Sequence, residues 1–166
     1  DLVYIIYAGY SQSNGAPSDA IWPQAFSLNS GNYDGKKIGF CGVNNELNYY
    51  PGYKLKSAPY KRINGIGLFC HEFSHTLGLP DLYSNLAVDN QEMEYWDLMD
   101  AGEYTDNGYT PTPYTPWEKE VMGWTSIDTL ADDSVKVTMK PDDALKINST
   151  TNQYVILQNL QKQGWA

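Results

Sequence analysis

The chain has two histidines, and they stand four residues apart with a glutamate directly after the first: His71-Glu72-Phe73-Ser74-His75. No other feature constrains the fold so tightly. Four residues is slightly more than one helical turn, so both imidazoles leave one face only if this stretch is an α-helix. In that arrangement they can grip a single metal ion, with Glu72 leaning over the same site. The pattern extends as H-E-x-x-H-x-x-G-x-x-D, through Gly78 to Asp81. Gly78 can close the helix in a left-handed turn and Pro80 forbids its resumption, which swings Asp81 back as candidate third ligand. A core histidine beside a surface one is the bland alternative, and it leaves the extended spacing unexplained.

The flanks agree with a helix. From Asn64, the expected N-cap, the residues Ile66, Phe69, Cys70, Phe73 and Leu77 recur at helical spacing and predict a core stripe. Leu68, His71, Glu72 and His75 fall mostly on the other side, facing a cleft. Burying Glu72 there without a metal or a partner would be expensive. Cys70 lies about 100 degrees around the helix from His71. Its functional readings are a thiolate ligand or a disulfide to Cys41; a small buried hydrophobe is the simplest.

Elsewhere the pattern is mostly β. Leu2 to Ala8 predicts a buried strand, and Lys37 to Val43 a second one, weakened by its glycines and placed at an edge. Gly9 to Gly35 is loop-like. Thr115-Pro116-Trp117-Glu118 predicts a second helix with a capping box, ending at Gly123. Val135 to Met139 and Tyr154 to Leu160 alternate as strands. The expected division is 1–130 for a domain built around the histidine helix and 131–166 for a strand-rich C-terminal part.

Length and charge narrow the partners. At 166 residues there is room for one domain with a proper core. A formal charge of −9 leaves no basic stripe for phosphates and so excludes nucleic acid as a partner. The many Asp and Asn side chains make calcium a second candidate cation, although solvation accounts for most of them. No apolar run reaches the length of a membrane span. Asp1 stands directly before a strand, so we expect a processed or excised piece of a longer protein. Oligomeric state is not encoded legibly.

Several stretches together resemble the zincin metalloproteases, and more closely the immune inhibitor A group of secreted bacterial peptidases. They are Tyr7-Ala-Gly-Tyr10, Ile21-Trp-Pro23, His71 through Tyr83, Trp96-Asp-Leu-Met99, Trp117-Glu-Lys119 and Gly123-Trp124. The resemblance implies an α+β, zincin-like fold: a twisted sheet with the active-site helix, above an irregular lower subdomain holding a methionine turn and a second helix. It also implies strands and a backing helix upstream of Leu2. Zinc suits the ligand set His71, His75 and Asp81, with Glu92, Glu94 and Asp97 as fallback ligands. The implied activity is hydrolysis of peptide bonds in extracellular proteins, with Glu72 as general base. Met99 would floor the site. Tyr104, then Tyr109, are candidates for stabilising the oxyanion. The polypeptide substrate would be met outside the cell, at its surface or in the periplasm of a bacterium. The alternatives are a silent zinc- or polypeptide-binding module and a zinc hydrolase of small amides.

Overall fold

The computed structural model describes residues 1–48, 62–84, 86, 92–130, 136–150 and 153–161. They form a mixed α+β protein with few helices and small sheets, gathered into two compact units, Asp1–Pro111 and Thr112–Ala166. No helix among the described residues is long and apolar enough to cross a membrane.

The first unit opens with strands β1 (Leu2–Tyr7), β2 (Gln24–Ser27), β3 (Asn32–Tyr33), β4 (Lys36–Lys37) and β5 (Phe40–Asn45). One sheet has the order β1-β5-β2, with β1 parallel and β2 antiparallel to β5. This corrects two expectations. The glycine-containing strand is central rather than at an edge, and β1 is the edge. Gly42 explains the reversal: a Cβ there would sit 2.2 Å from the Tyr4 ring, so the missing side chain lets an aromatic from β1 lie across β5. β1, expected to be buried, leaves Val3, Ile5 and Ile6 exposed, because among the described residues it is paired along one side and so only half covered. The region from Gly9 to Gly35 is not all loop. It contains β2 and most of the β3–β4 hairpin, which turns on Asp34 and Gly35, both at positive φ as a tight two-residue turn requires.

Helix α1 (Ile66–Thr76) packs on this sheet through aromatics. Phe69 meets Tyr4 edge-on at 4.7 Å between ring centroids, and Phe73 stacks on Phe69 at 5.6 Å. Ile66 and Leu77, expected in the same stripe, are instead exposed. The helix buries Gly67, Leu68, His71, Glu72 and Ser74 more deeply, and it packs against the irregular segment Ala101–Gly108. The fit is close enough to dictate glycine. A Cβ on Gly67 would come within 1.9 Å of the Glu103 carbonyl oxygen, and one on Gly65 within 2.2 Å of the Gly108 carbonyl carbon. Gly65, not Asn64, is therefore the N-cap, and it offers no side-chain hydrogen bond. The opposing segment is itself bent, with Asp106, Asn107 and Gly108 in succession at left-handed φ. At the other end α1 stops as expected. Gly78 takes φ +98, its N–H donates to the His75 carbonyl, and the Leu79 N–H donates to that of Ser74, the paired bonds of a Schellman turn.

The second unit contains α2 (Pro116–Val121), β6 (Asp128–Leu130), β7 (Ala144–Thr150) and β8 (Gln153–Gln158). The capping box is present: the Thr115 hydroxyl accepts from the Glu118 N–H, and the Glu118 carboxylate accepts from the Thr115 N–H. Glu118 is fully buried in that role. The helix stops at Val121, with Gly123 closing the turn at φ +74 rather than ending the helix itself. The sheet order is β6-β7-β8. Of the two expected strands, the second stands as β8. Residues 136–139 of the first form no strand, and Val135 lies outside the described residues; β7 takes the place beside β8. Alternation occurs in both segments, and the available partner decides which becomes a strand. Lys146 of β7 pairs with Glu120 of α2 at 2.6 Å, and Glu120 also accepts from the Ile127 N–H.

Candidate metal centre

Helix α1 presents His71 and His75 with ring centroids 5.0 Å apart and planes perpendicular. Each ring is held from behind by a backbone carbonyl: His71 Nδ1 lies 3.0 Å from the Leu98 oxygen, and His75 Nδ1 2.8 Å from the Leu79 oxygen. A carbonyl oxygen only accepts, so both Nδ1 atoms donate, and in the neutral ring that leaves the Nε2 lone pair facing Asp81. Burial holds His71 below the ordinary histidine range, which keeps it neutral and ready to ligate.

The turn after Gly78 then returns Asp81 to the same place. Its Oδ1 lies 3.1 Å from His71 Nε2 and 3.3 Å from His75 Nε2. Among the described residues, this is the one group of three or more His, Cys, Asp or Glu side chains whose ligand atoms could hold a metal, all within 4.8 Å of one another. With both rings neutral, three lone-pair donors converge there. A proton could serve one pair; a divalent cation serves all three, and two imidazoles with one carboxylate suit zinc. Glu92, Glu94 and Asp97 lie outside the group, as does Cys70, whose thiol is pushed up by burial. Cys41 and Cys70 are both free.

The segment around Met99 fastens this geometry. Met99 is completely buried, in a turn where the Asp97 carboxylate accepts from the Met99 N–H at 2.7 Å and the Asp97 carbonyl from the Gly102 N–H at 2.9 Å. Asp100 accepts from the N–H groups of Met93, Glu94 and Ala101. Two successive carbonyls of this turn then point outward to different parts of the centre. That of Leu98 takes the His71 proton, and that of Met99 accepts from the Leu82 N–H at 2.9 Å, one residue beyond Asp81.

Glu72 sits beside the histidines and is nearly buried. Burial raises its carboxyl above the ordinary range, opposed by His75 and by a hydrogen bond from the Ala25 N–H of β2. A carboxylate shifted upward is a better proton acceptor. The tyrosine expectations fare differently. Tyr104 adjoins Glu103 and has its phenol pushed up by burial and by that carboxylate. The Tyr109 hydroxyl donates to the Ile63 carbonyl, with Arg62 over its ring at 4.7 Å, so the structure places it at the opening end of α1 instead of with the ligands.

Three participants were not singled out from the sequence. Tyr83 lays its ring nearly parallel to His71, at 6.3 Å between centroids and 17° between planes. Its phenol is pushed up to about 12, by burial first and then by Asp81, whose carboxylate takes a hydrogen bond from it. Glu103 is 5% exposed, with an oxygen 4.0 Å from His71 Nδ1, and burial pushes its carboxyl up to about 8. Ala25 contributes through its backbone alone. Tyr83 was in view, two residues beyond Asp81; β2 carried no readable signal.

The chain is similar to known proteins over most of its length. Residues 1–125 match the family described as immune inhibitor A peptidase M6, catalytic domain. The chain is similar to immune inhibitor A of Bacillus thuringiensis subsp. alesti, 29% identical over 129 residues, covering 72% of this chain and 18% of the relative. It is also similar to the pre-pro-metalloprotease PrtV of Vibrio cholerae serotype O1, in two strains, 28% identical over 131 residues, covering 74% of this chain and 14% of the relative. The chain thus spans under a fifth of the length of these relatives. No solved structure matches. With three quarters of its length matched, the chain belongs to the immune inhibitor A peptidase M6 family.

Proposed function

We propose that this chain is the core of a zinc-dependent endopeptidase that cleaves extracellular polypeptides, with a zincin-like arrangement of sheet, helix and methionine turn. The observation that carries the reading is the convergence of His71 Nε2, His75 Nε2 and Asp81 Oδ1, with Oδ1 3.1 Å from the first and 3.3 Å from the second. Those three residues would hold the ion. When bound, zinc supplies Lewis acidity, acidifying water and polarising a carbonyl.

The remaining work belongs to the protein. Leu98 and Leu79 fix the imidazole tautomers, so both rings turn their lone pairs inward. Glu72 accepts the proton of the attacking water at its carboxylate and later delivers it to the leaving amide nitrogen. The Ala25 N–H steadies that carboxylate from β2. Tyr104 is the candidate for a second donor to the developing oxyanion. The pre-pro form in the name of the Vibrio cholerae relative supports export from a bacterial cell as the setting.

Metal analysis of the full-length protein, with a casein or gelatin assay run with and without chelator, tests the reading. The expected result is one zinc per chain and cleavage abolished by the chelator and restored by zinc. Cleavage indifferent to the chelator rejects the mechanism, and zinc without cleavage selects a silent binding module.

A further inference from the structure

We propose that Tyr83 is a positioning residue of this centre, holding the Asp81 carboxylate and the His71 ring in fixed relation to each other. The inference rests on the zinc-site reading above and extends it to a residue outside the ligand set.

The ligands are not equally well held. His71 and His75 come from consecutive turns of one helix, and each is fixed by a carbonyl at 3.0 or 2.8 Å. Asp81 comes from the chain beyond the helix stop, where no regular element orients it. Its side chain is 27% exposed, against 4% for His71. A carboxylate on a loop can rotate, and rotation changes both its distance to the two Nε2 atoms and whether one or two oxygens face the ion.

Tyr83 supplies the missing restraint from two directions. Its ring stacks on His71 at 6.3 Å and 17°, so its torsions are set by packing against a buried, already fixed imidazole. Its hydroxyl then bonds to the Asp81 carboxylate. Between the two residues, the Leu82 N–H is pinned to the Met99 carbonyl, so the backbone spanning Asp81 and Tyr83 cannot drift. Tyr83 thus does for the carboxylate what Leu98 and Leu79 do for the imidazoles. A hydrogen bond from a packed donor limits rotation of the carboxylate, as the two carbonyls limit rotation of the rings.

The test is a double-mutant cycle on the full-length protein: wild type, Tyr83→Phe, Asp81→Ala and the double variant. Zinc affinity is measured by competition with a chromophoric chelator, cobalt(II) spectra report coordination geometry, and melting of the metal-free forms reports folding. Tyr83→Phe keeps the ring over His71 and loses the hydroxyl. The expected result is about a tenfold fall in zinc affinity with an altered cobalt spectrum and an unchanged metal-free melt. In the Asp81→Ala background the same change should have no further effect. Unchanged affinity in Tyr83→Phe overturns the proposal, and so does an equal loss in both backgrounds, which would place the effect in packing. A wild-type protein that binds no zinc overturns the metal-site reading instead.

Discussion

The two helices end alike and begin differently. Both stop in a Schellman turn on a left-handed glycine, Gly78 for α1 and Gly123 for α2, with the following residue bonded back to the last turn. Their starts share nothing. α2 has a capping box, a proline at its first position and a buried glutamate committed to the cap. α1 starts on a bare glycine with no side-chain bond, and is fixed because the Glu103–Gly108 backbone presses on Gly65 and Gly67. A helix of six residues with strong local signals can be written into its own sequence. A helix that must place two imidazoles and a carboxylate under an irregular segment gives up local capping for tertiary contact.

The largest test of that contrast is chemical. Glu72→Gln should reduce turnover about a thousandfold or more while zinc stays bound, because the proton acceptor is lost and the ligands are untouched. Near-normal turnover would falsify the role given to Glu72. Next in size, Gly67→Ala forces a Cβ to within 1.9 Å of a backbone oxygen. It should destabilise by about 3 kcal/mol and lower zinc affinity as well. If its melting temperature falls no further than that of a simple cap variant, the pressed start of α1 is an illusion.

A third test uses pH on the metal-free protein. The Glu103 carboxyl is raised to about 8 in the fold from an ordinary value near 4.5, so between those values the folded state holds a proton that the unfolded chain releases. Stability is full below about 4.5 and declines as pH rises toward 8. His71, held below its ordinary 6.5, acts oppositely but only under 6.5. Chemical-denaturation midpoints should therefore fall with rising pH above 6.5, and Glu103→Gln should flatten that slope. A slope unchanged by the variant would remove Glu103 from the account. Smallest, Thr115→Ala should cost about 1 kcal/mol through the lost cap and leave zinc affinity as it was. An affinity change there would mean that the two helices do not divide their duties as described.

What was legible in the sequence follows the same division. The capping box at Thr115 and Glu118 and the glycine stop at residue 78 are local rules, and each is found where expected, while the spacing of His71, His75 and Asp81 brings their side chains together. The centre of the sheet was not legible, because Gly42 carries opposite meanings depending on whether a tyrosine lies across it. β2 was missed because Gln24–Ser27 is four residues long and follows Pro23, with nothing in its own composition to mark it as the support for Glu72. Tyr83 was visible as a letter, but with fourteen tyrosines in the chain only coordinates separate the one stacked on His71 from the rest.

The glycines at 65 and 67 also set how freely this region can change. In a library of single variants scored for retained zinc, these two positions should tolerate glycine alone, since every other residue begins with the same excluded carbon. Gly31 and Gly39, where an added Cβ would meet nothing within 4 Å and φ is not left-handed, should accept most residues. The map of permitted letters would then trace the seam between α1 and Ala101–Gly108 without any structure being consulted.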